Sequence, residues 1–64
     1  MKATWRCRER LDKRNYPDIH ESAAFIHGYG DGFHDEPQKQ PNELRNPNAY
    51  SAGYWEGFAD RNEP

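Results

Sequence analysis

A twelve-residue pattern occurs twice in this chain. The segment Ala24-Phe-Ile-His-Gly-Tyr-Gly-Asp-Gly-Phe-His-Asp35 aligns without a gap on Ala49-Tyr-Ser-Ala-Gly-Tyr-Trp-Glu-Gly-Phe-Ala-Asp60, at an offset of 25 residues. The identical pairs are Ala24/Ala49, Gly28/Gly53, Tyr29/Tyr54, Gly32/Gly57, Phe33/Phe58 and Asp35/Asp60; Phe25/Tyr50 and Asp31/Glu56 are conservative. In each copy the small residues fall at i, i+4 and i+8, which is one face of a helix. Beside each small stripe runs an aromatic one, Phe25, Tyr29 and Phe33 in the first copy and Tyr50, Tyr54 and Phe58 in the second. The spacing predicts two helices that approach closely through their glycines, with rings lying in the shallow groove of the partner. An interior glycine disfavours helix by about 1 kcal/mol relative to alanine, so close packing has to offset that cost. The rival is a flexible loop at Gly28–Gly32. The second copy speaks against it, because Trp55 stands where the first copy has Gly30.

The elements follow from the punctuation. Tyr16-Pro17-Asp18 opens the first helix of the pair, with Pro17 near its first position and Asp18-x-x-Glu21 as a capping box. Glu36-Pro37 ends it. Asn46-Pro47 reads as cap and first position of the second helix. The expected organisation is an all-α domain: a basic N-terminal arm or short helix over 1–16, then a helical pair over 17–62. The pair comprises a helix over 17–36, a connector over 37–46 and a helix over 47–61, packed antiparallel or crossed. Within the arm, Trp5, Cys7 and Leu11 suit a short helix, while Arg6, Arg8 and Arg10 alternate as in a strand; the short helix is preferred.

Sixty-four residues make one small domain, and domains of this size bury only about 60% of their unfolded surface. Hydrophobic residues are 33% of the chain and aromatic ones 14%, so rings must supply most of the buried area. A lone cysteine, Cys7, cannot form an internal disulfide and points to a reducing compartment. No apolar run marks a signal peptide or a membrane span, and the expected location is cytoplasmic with no membrane partner. Charge is unevenly spread. Residues 1–14 carry six basic and two acidic side chains, and the remainder carries three basic and nine acidic ones. Such an arm can touch nucleic acid, fold back on its own acidic body, or remain solvated.

Chemistry is sparse. His20, His27 and His34 repeat every seven residues, about 10 Å apart along a helix, too far to share one ion. His27, Asp31 and His34 are closer, but no fourth ligand is placed, so a polar helix face is the preferred reading and no metal is expected. Gly28-x-Gly30-x-Gly32 lacks the preceding strand and the following Lys-Ser/Thr of a phosphate loop. No nucleophile is paired with a base, and Ser22 and Ser51 read as surface residues. No enzymatic activity and no cofactor are expected. Tyr29 and Tyr54 lie on the repeated stripe and read as core. Trp55 lies off it and is the better contact residue.

The pattern Gly28-Tyr29-x-x-Gly32, a Pro-containing connector, Tyr50-x-x-Gly53-Tyr54-x-x-Gly57 and Ala59-Asp60-Arg61 resembles the ribosome modulation factor family, which includes short phage and plasmid proteins. The resemblance covers Ala24 to Arg61. It implies a compact helical unit that binds the ribosome or RNA and modulates translation. In that case Gly28, Tyr29, Gly32, Phe33, Gly53, Tyr54, Gly57 and Phe58 are scaffold, and Arg6, Arg8, Arg10, Arg14 and Arg61 contact RNA. The namesake of the family is strongly basic, whereas this chain is acidic overall, and a second class stands beside the first: an accessory factor of phage or plasmid type that binds a host protein. Its contact residues would be Trp55, Glu56, Asp60, Asp31 and Asp35, expected to face outward or to sit at the rim of the helix pair. The oligomeric state is left open, a dimer included.

Overall fold

The structure is a computed structural model. It describes residues 2–63, with side chains from Trp5 onward; Met1 and the side chain of Lys2, both counted in the basic arm, lie outside the described residues. The chain forms α1 (Lys2–Arg14), α2 (Ile19–Phe33), a single 3-10 turn (Pro41–Glu43) and α3 (Pro47–Arg61). The described residues are all helix and loop. The arm is thus a helix, and it stops where Asn15 takes a left-handed φ of 55°.

The ends of α2 differ from the expected 17–36. Asp18 is the cap, and its carboxylate accepts the His20 N–H at 2.9 Å. Pro17 therefore precedes the cap instead of sitting inside the helix, and the Glu21 N–H that a capping box would use is not the one bound. At the other end Asp35 adopts φ 61°, and its N–H reaches the Gly32 carbonyl while the Glu36 N–H reaches that of Asp31. These two bonds form a Schellman stop, which ends the helix three residues before Pro37 would have required. In α3, Asn46 and Pro47 occupy cap and first position as expected, without a side-chain bond from Asn46.

The packing of α2 on α3 is set by four glycines. A methyl group on Gly28 would overlap the carbonyl oxygen of Tyr50, and one on Gly32 that of Tyr54. Reciprocally, Gly53 lies against the carbonyl of Phe25 and Gly57 against that of Tyr29. These contacts exchange with one another when residue n of α2 is swapped for residue n+25 of α3, so the sequence repeat is also an approximate two-fold relation in space. They also rise together along both helices, which means that α2 and α3 run in the same direction. The antiparallel alternative is not adopted. Residues 34–46 serve as the return path between the end of one helix and the start of the next.

Parallel pairing gives the two helices two broad faces. On one, Phe25 and Tyr29 of α2 and Ala52 of α3 meet Cys7, Leu11 and Tyr16, so α1 and the residues just after it cover this face. On the other, Tyr50 and Tyr54 meet the return connector: the Tyr50 hydroxyl accepts the Lys39 N–H at 3.1 Å and donates to Asp31 at 2.6 Å, and the Tyr54 hydroxyl donates to the Glu36 carbonyl at 2.6 Å. Phe25, Tyr29 and Tyr50 are the largest fully buried side chains, so rings do supply the core. Phe58 differs from its scaffold assignment. It is 37% exposed, because α1 flanks Phe33 on the first face and no helix does the same for Phe58 on the second.

Burial, then the hydrogen bond to Asp31, pushes the Tyr50 phenol up to about 12. An ordinary phenol ionises near 10. A proton held more tightly by the folded state contributes stability that is whole below pH ~10 and is lost between pH ~10 and about 12. Subtracting the alkaline absorbance titration of Tyr50→Phe from that of the intact protein should yield one phenolate appearing near pH 12; its appearance near 10 in the folded protein would contradict the buried Tyr50–Asp31 bond.

Candidate protein-binding surface

The two sets of charged residues singled out in the sequence bind each other. Arg6, Arg10 and Arg14 recur every four residues and so share one face of α1, next to the Cys7 and Leu11 stripe that meets the core. That face lies over the acidic edge of α3. Arg10 grips Asp60 with both ends of its guanidinium, Nη2 to Oδ1 at 2.8 Å and Nε to Oδ2 at 3.3 Å. Arg14 bonds Glu56 at 3.0 Å and lies 5.8 Å above the Phe25 ring. Arg6 bonds Glu63 at 2.6 Å and stands 3.8 Å from Asp60. Of the three possibilities for the arm, the self-docked one is realised.

Asp60 is the centre of this contact. Expected to face outward or to sit at the rim of the helix pair, it is buried instead, 6% exposed, and its Oδ2 also accepts the Tyr29 hydroxyl at 2.5 Å. Burial alone would raise its carboxyl. Hydrogen bonds from Arg10 and Tyr29, with the charges of Arg10 and Arg6, outweigh that and hold it below its ordinary value. The same contact raises Arg10, chiefly through the bond to Asp60. Burial, followed by the bond to Asp60, raises the Tyr29 phenol strongly. Cys7, on the inner side of α1, is raised by burial and by Asp60.

The remaining singled-out residues scatter. Asp31, expected outward or at the rim, is largely buried; its carboxylate takes the Tyr50 hydroxyl and has Lys39 at 3.8 Å and His27 at 3.7 Å. Asp35 is exposed and serves the helix stop. Arg61 donates to the Phe33 carbonyl at 3.0 Å, closing the last turn of α2. Arg8 faces away from α3, exposed and 3.8 Å from Asp12. Among the described residues no three His, Cys, Asp or Glu side chains converge as metal ligands, and no helix is long and apolar enough to cross a membrane.

Large apolar groups are left outside as well. Trp55 is 54% exposed, and its ring stands edge-on to Tyr54 at 5.2 Å and to Phe58 at 5.6 Å. Trp55 and Phe58 thus form a continuous aromatic ledge along the outer side of α3, seated on the buried Tyr54. Trp5 is 70% exposed on α1. The chain matches no family model, no curated protein and no solved structure. Sequence reasoning found Trp55 through the repeat, as the position where the two copies differ most in size. It named the arm folding back on its own acidic body as one possibility without choosing it, although the four-residue spacing of Arg6, Arg10 and Arg14 beside Cys7 and Leu11 points that way.

Proposed function

We propose that this chain is a small, non-enzymatic binding factor whose target is a protein, engaged through the ledge of Trp55 and Phe58. The observation that carries the reading is a half-exposed tryptophan, seated on the edges of Tyr54 and Phe58, beside a second exposed ring. Tryptophan is among the residues enriched at the energetic centres of protein interfaces, since it supplies a large contact area at little entropic cost. The partner surface would be apolar with basic residues around it, complementary to a chain whose net charge is −2.

A translation modulator that grips RNA draws on fewer cations than the sequence offers. Phosphate affinity rests on available positive charge, and Arg6, Arg10 and Arg14 are held by Glu63, Asp60 and Glu56. Among the described residues Arg8, Lys13 and Arg45 remain for such a role.

Capture from nuclease-treated bacterial lysate separates the two readings. A protein retained after nuclease and lost with Trp55→Ala, in a variant whose helical circular dichroism is unchanged, is the expected outcome. Retention of ribosomal particles only, removed by nuclease and weakened by replacing Arg8, Lys13 and Arg45 with Gln, would instead establish the RNA-binding reading. At the centre of an interface, truncation of this kind costs about 2 kcal/mol or more in binding, some thirtyfold in affinity.

A further inference from the structure

The four glycines at the helix contact are required by backbone proximity. Gly30 is not. A Cβ at Gly30 would meet nothing within 4 Å, so this glycine weakens α2 without any packing gained in return. What its missing side chain does is keep open a groove of about 370 Å³ between α1 and α2, lined mainly by Leu11, Ile26, Tyr29, Phe33 and Cys7 with Arg8 and His34 at its edges. The repeat shows what such a place accommodates. Gly30 corresponds to Trp55, Tyr29 to Tyr54 and Phe33 to Phe58. In the second copy the indole rests on the edges of that tyrosine and phenylalanine. In the first copy the equivalent pair, Tyr29 and Phe33, lines the groove, and the residue that would supply the indole is a glycine.

The charge at the rim narrows the occupant further. Arg8 is the one arginine of α1 that does not reach α3; its guanidinium is solvent-exposed beside the opening, with only the exposed Asp12 at 3.8 Å. We propose that the groove beside Gly30 receives an aromatic side chain of a partner protein, flanked in the partner's sequence by a carboxylate that pairs with Arg8. Tyr29 is already covered by α1, so an aromatic ring gains on the part-exposed Phe33 the edge contact that Trp55 makes on Phe58, and the carboxylate competes with Asp12 for a solvent-exposed guanidinium. The groove belongs to α1 and α2 and the Trp55 ledge to α3, so failure of either one leaves the other standing.

The test uses the full chain and the blocked dipeptide acetyl-Trp-Asp-amide, followed by amide chemical shifts. Saturable shifts at Ile26, Gly30 and Phe33 are expected. Acetyl-Ala-Asp-amide should produce none, and acetyl-Trp-Lys-amide should bind about two- to fivefold more weakly, the range of an exposed ion pair. Gly30→Trp fills the groove from within and should abolish the shifts at Ile26 and Phe33 while leaving the helical signal intact. Arg8→Gln, which touches no buried contact, should remove the preference for Asp over Lys even if the tryptophan variant folds poorly. The proposal is overturned if the Trp-Asp probe leaves Gly30 unshifted, if the alanine probe works equally well, or if Arg8→Gln retains the full Asp preference.

Discussion

Gly53→Ala should largely unfold this protein, whereas Gly30→Ala should stabilise it. The added methyl at Gly53 would overlap the Phe25 carbonyl oxygen, with the Tyr29 nitrogen 3.0 Å away. Both obstacles are backbone, which cannot rotate aside as a side chain can. The helices must separate, and that uncovers Phe25, Tyr29 and Tyr50 together. Ordinary overpacking costs about 1–3 kcal/mol and occasionally more; a backbone collision at the middle of the largest helix contact among the described residues belongs at or above the upper end. A domain of this length has on the order of 3–10 kcal/mol in total, so the folded population should fall severely. Gly28, Gly32 and Gly57 should behave alike. Gly30→Ala meets open space and gains up to ~1 kcal/mol of helix propensity. Thermal melts of the five single variants check this directly. Equal effects at Gly30 and Gly53 would mean that the glycines matter for helix propensity alone.

Asp60→Ala is the second large effect. The substitution removes the acceptor of the Tyr29 hydroxyl and both bonds of the Arg10 guanidinium. Tyr29 is 2% exposed, so its hydroxyl cannot turn to bulk water, and an unsatisfied buried donor costs about 1–3 kcal/mol. Breaking a buried pair costs about 3–5 kcal/mol, but Arg10 keeps 26% of its side-chain exposure, which reduces its share. A total of about 2–4 kcal/mol is expected, concentrated in α1. Hydrogen exchange should show amide protection lost first over residues 6–14, while α2 and α3 stay protected. The same carboxyl sets an acid limit. Its folded value lies below the ordinary 3.8, so the stabilisation is whole above pH 3.8 and is lost as pH falls through the folded value. In Asp60→Asn that component of the acid transition should be missing. An acid profile identical to that of the unmodified protein would place the stabilising charge elsewhere.

The glycines and rings of the pair could be read from the chain, because a gapless repeat with small residues every fourth position leaves few arrangements besides two closely packed helices. Direction could not. Ala24, Gly28 and Gly32 mark a face, and a face does not say which way the partner runs; the reciprocal contacts of Gly28 with Tyr50 and Gly53 with Phe25 had to be seen. The fates of Asp35 and Asp60 were hidden for a related reason. They are the same position of the repeat, yet one is an exposed helix stop and the other a buried anchor, because α1 lies over only one of the two faces. Phe33 and Phe58 differ in exposure through the same asymmetry. Trp55 was legible because its departure from Gly30 is itself a sequence observation. The groove beside Gly30 was not, since it depends on where α1 comes to rest.

Same-direction pairing decides which carboxylates meet the arginines of α1 and which rings remain outside, and proton–proton contacts between the two helices read it out. The nitrogen of Tyr54 lies 3.0 Å from the Cβ position of Gly28, and that of Phe58 lies 3.0 Å from the Cβ position of Gly32. Nuclear Overhauser cross-peaks should therefore join the Gly28 α-protons to the Tyr54 amide and the Gly32 α-protons to the Phe58 amide. Cross-peaks joining Gly28 to Phe58 and Gly32 to Tyr54 would mean that the helices run in opposite directions, and the arrangement described for both faces would be wrong.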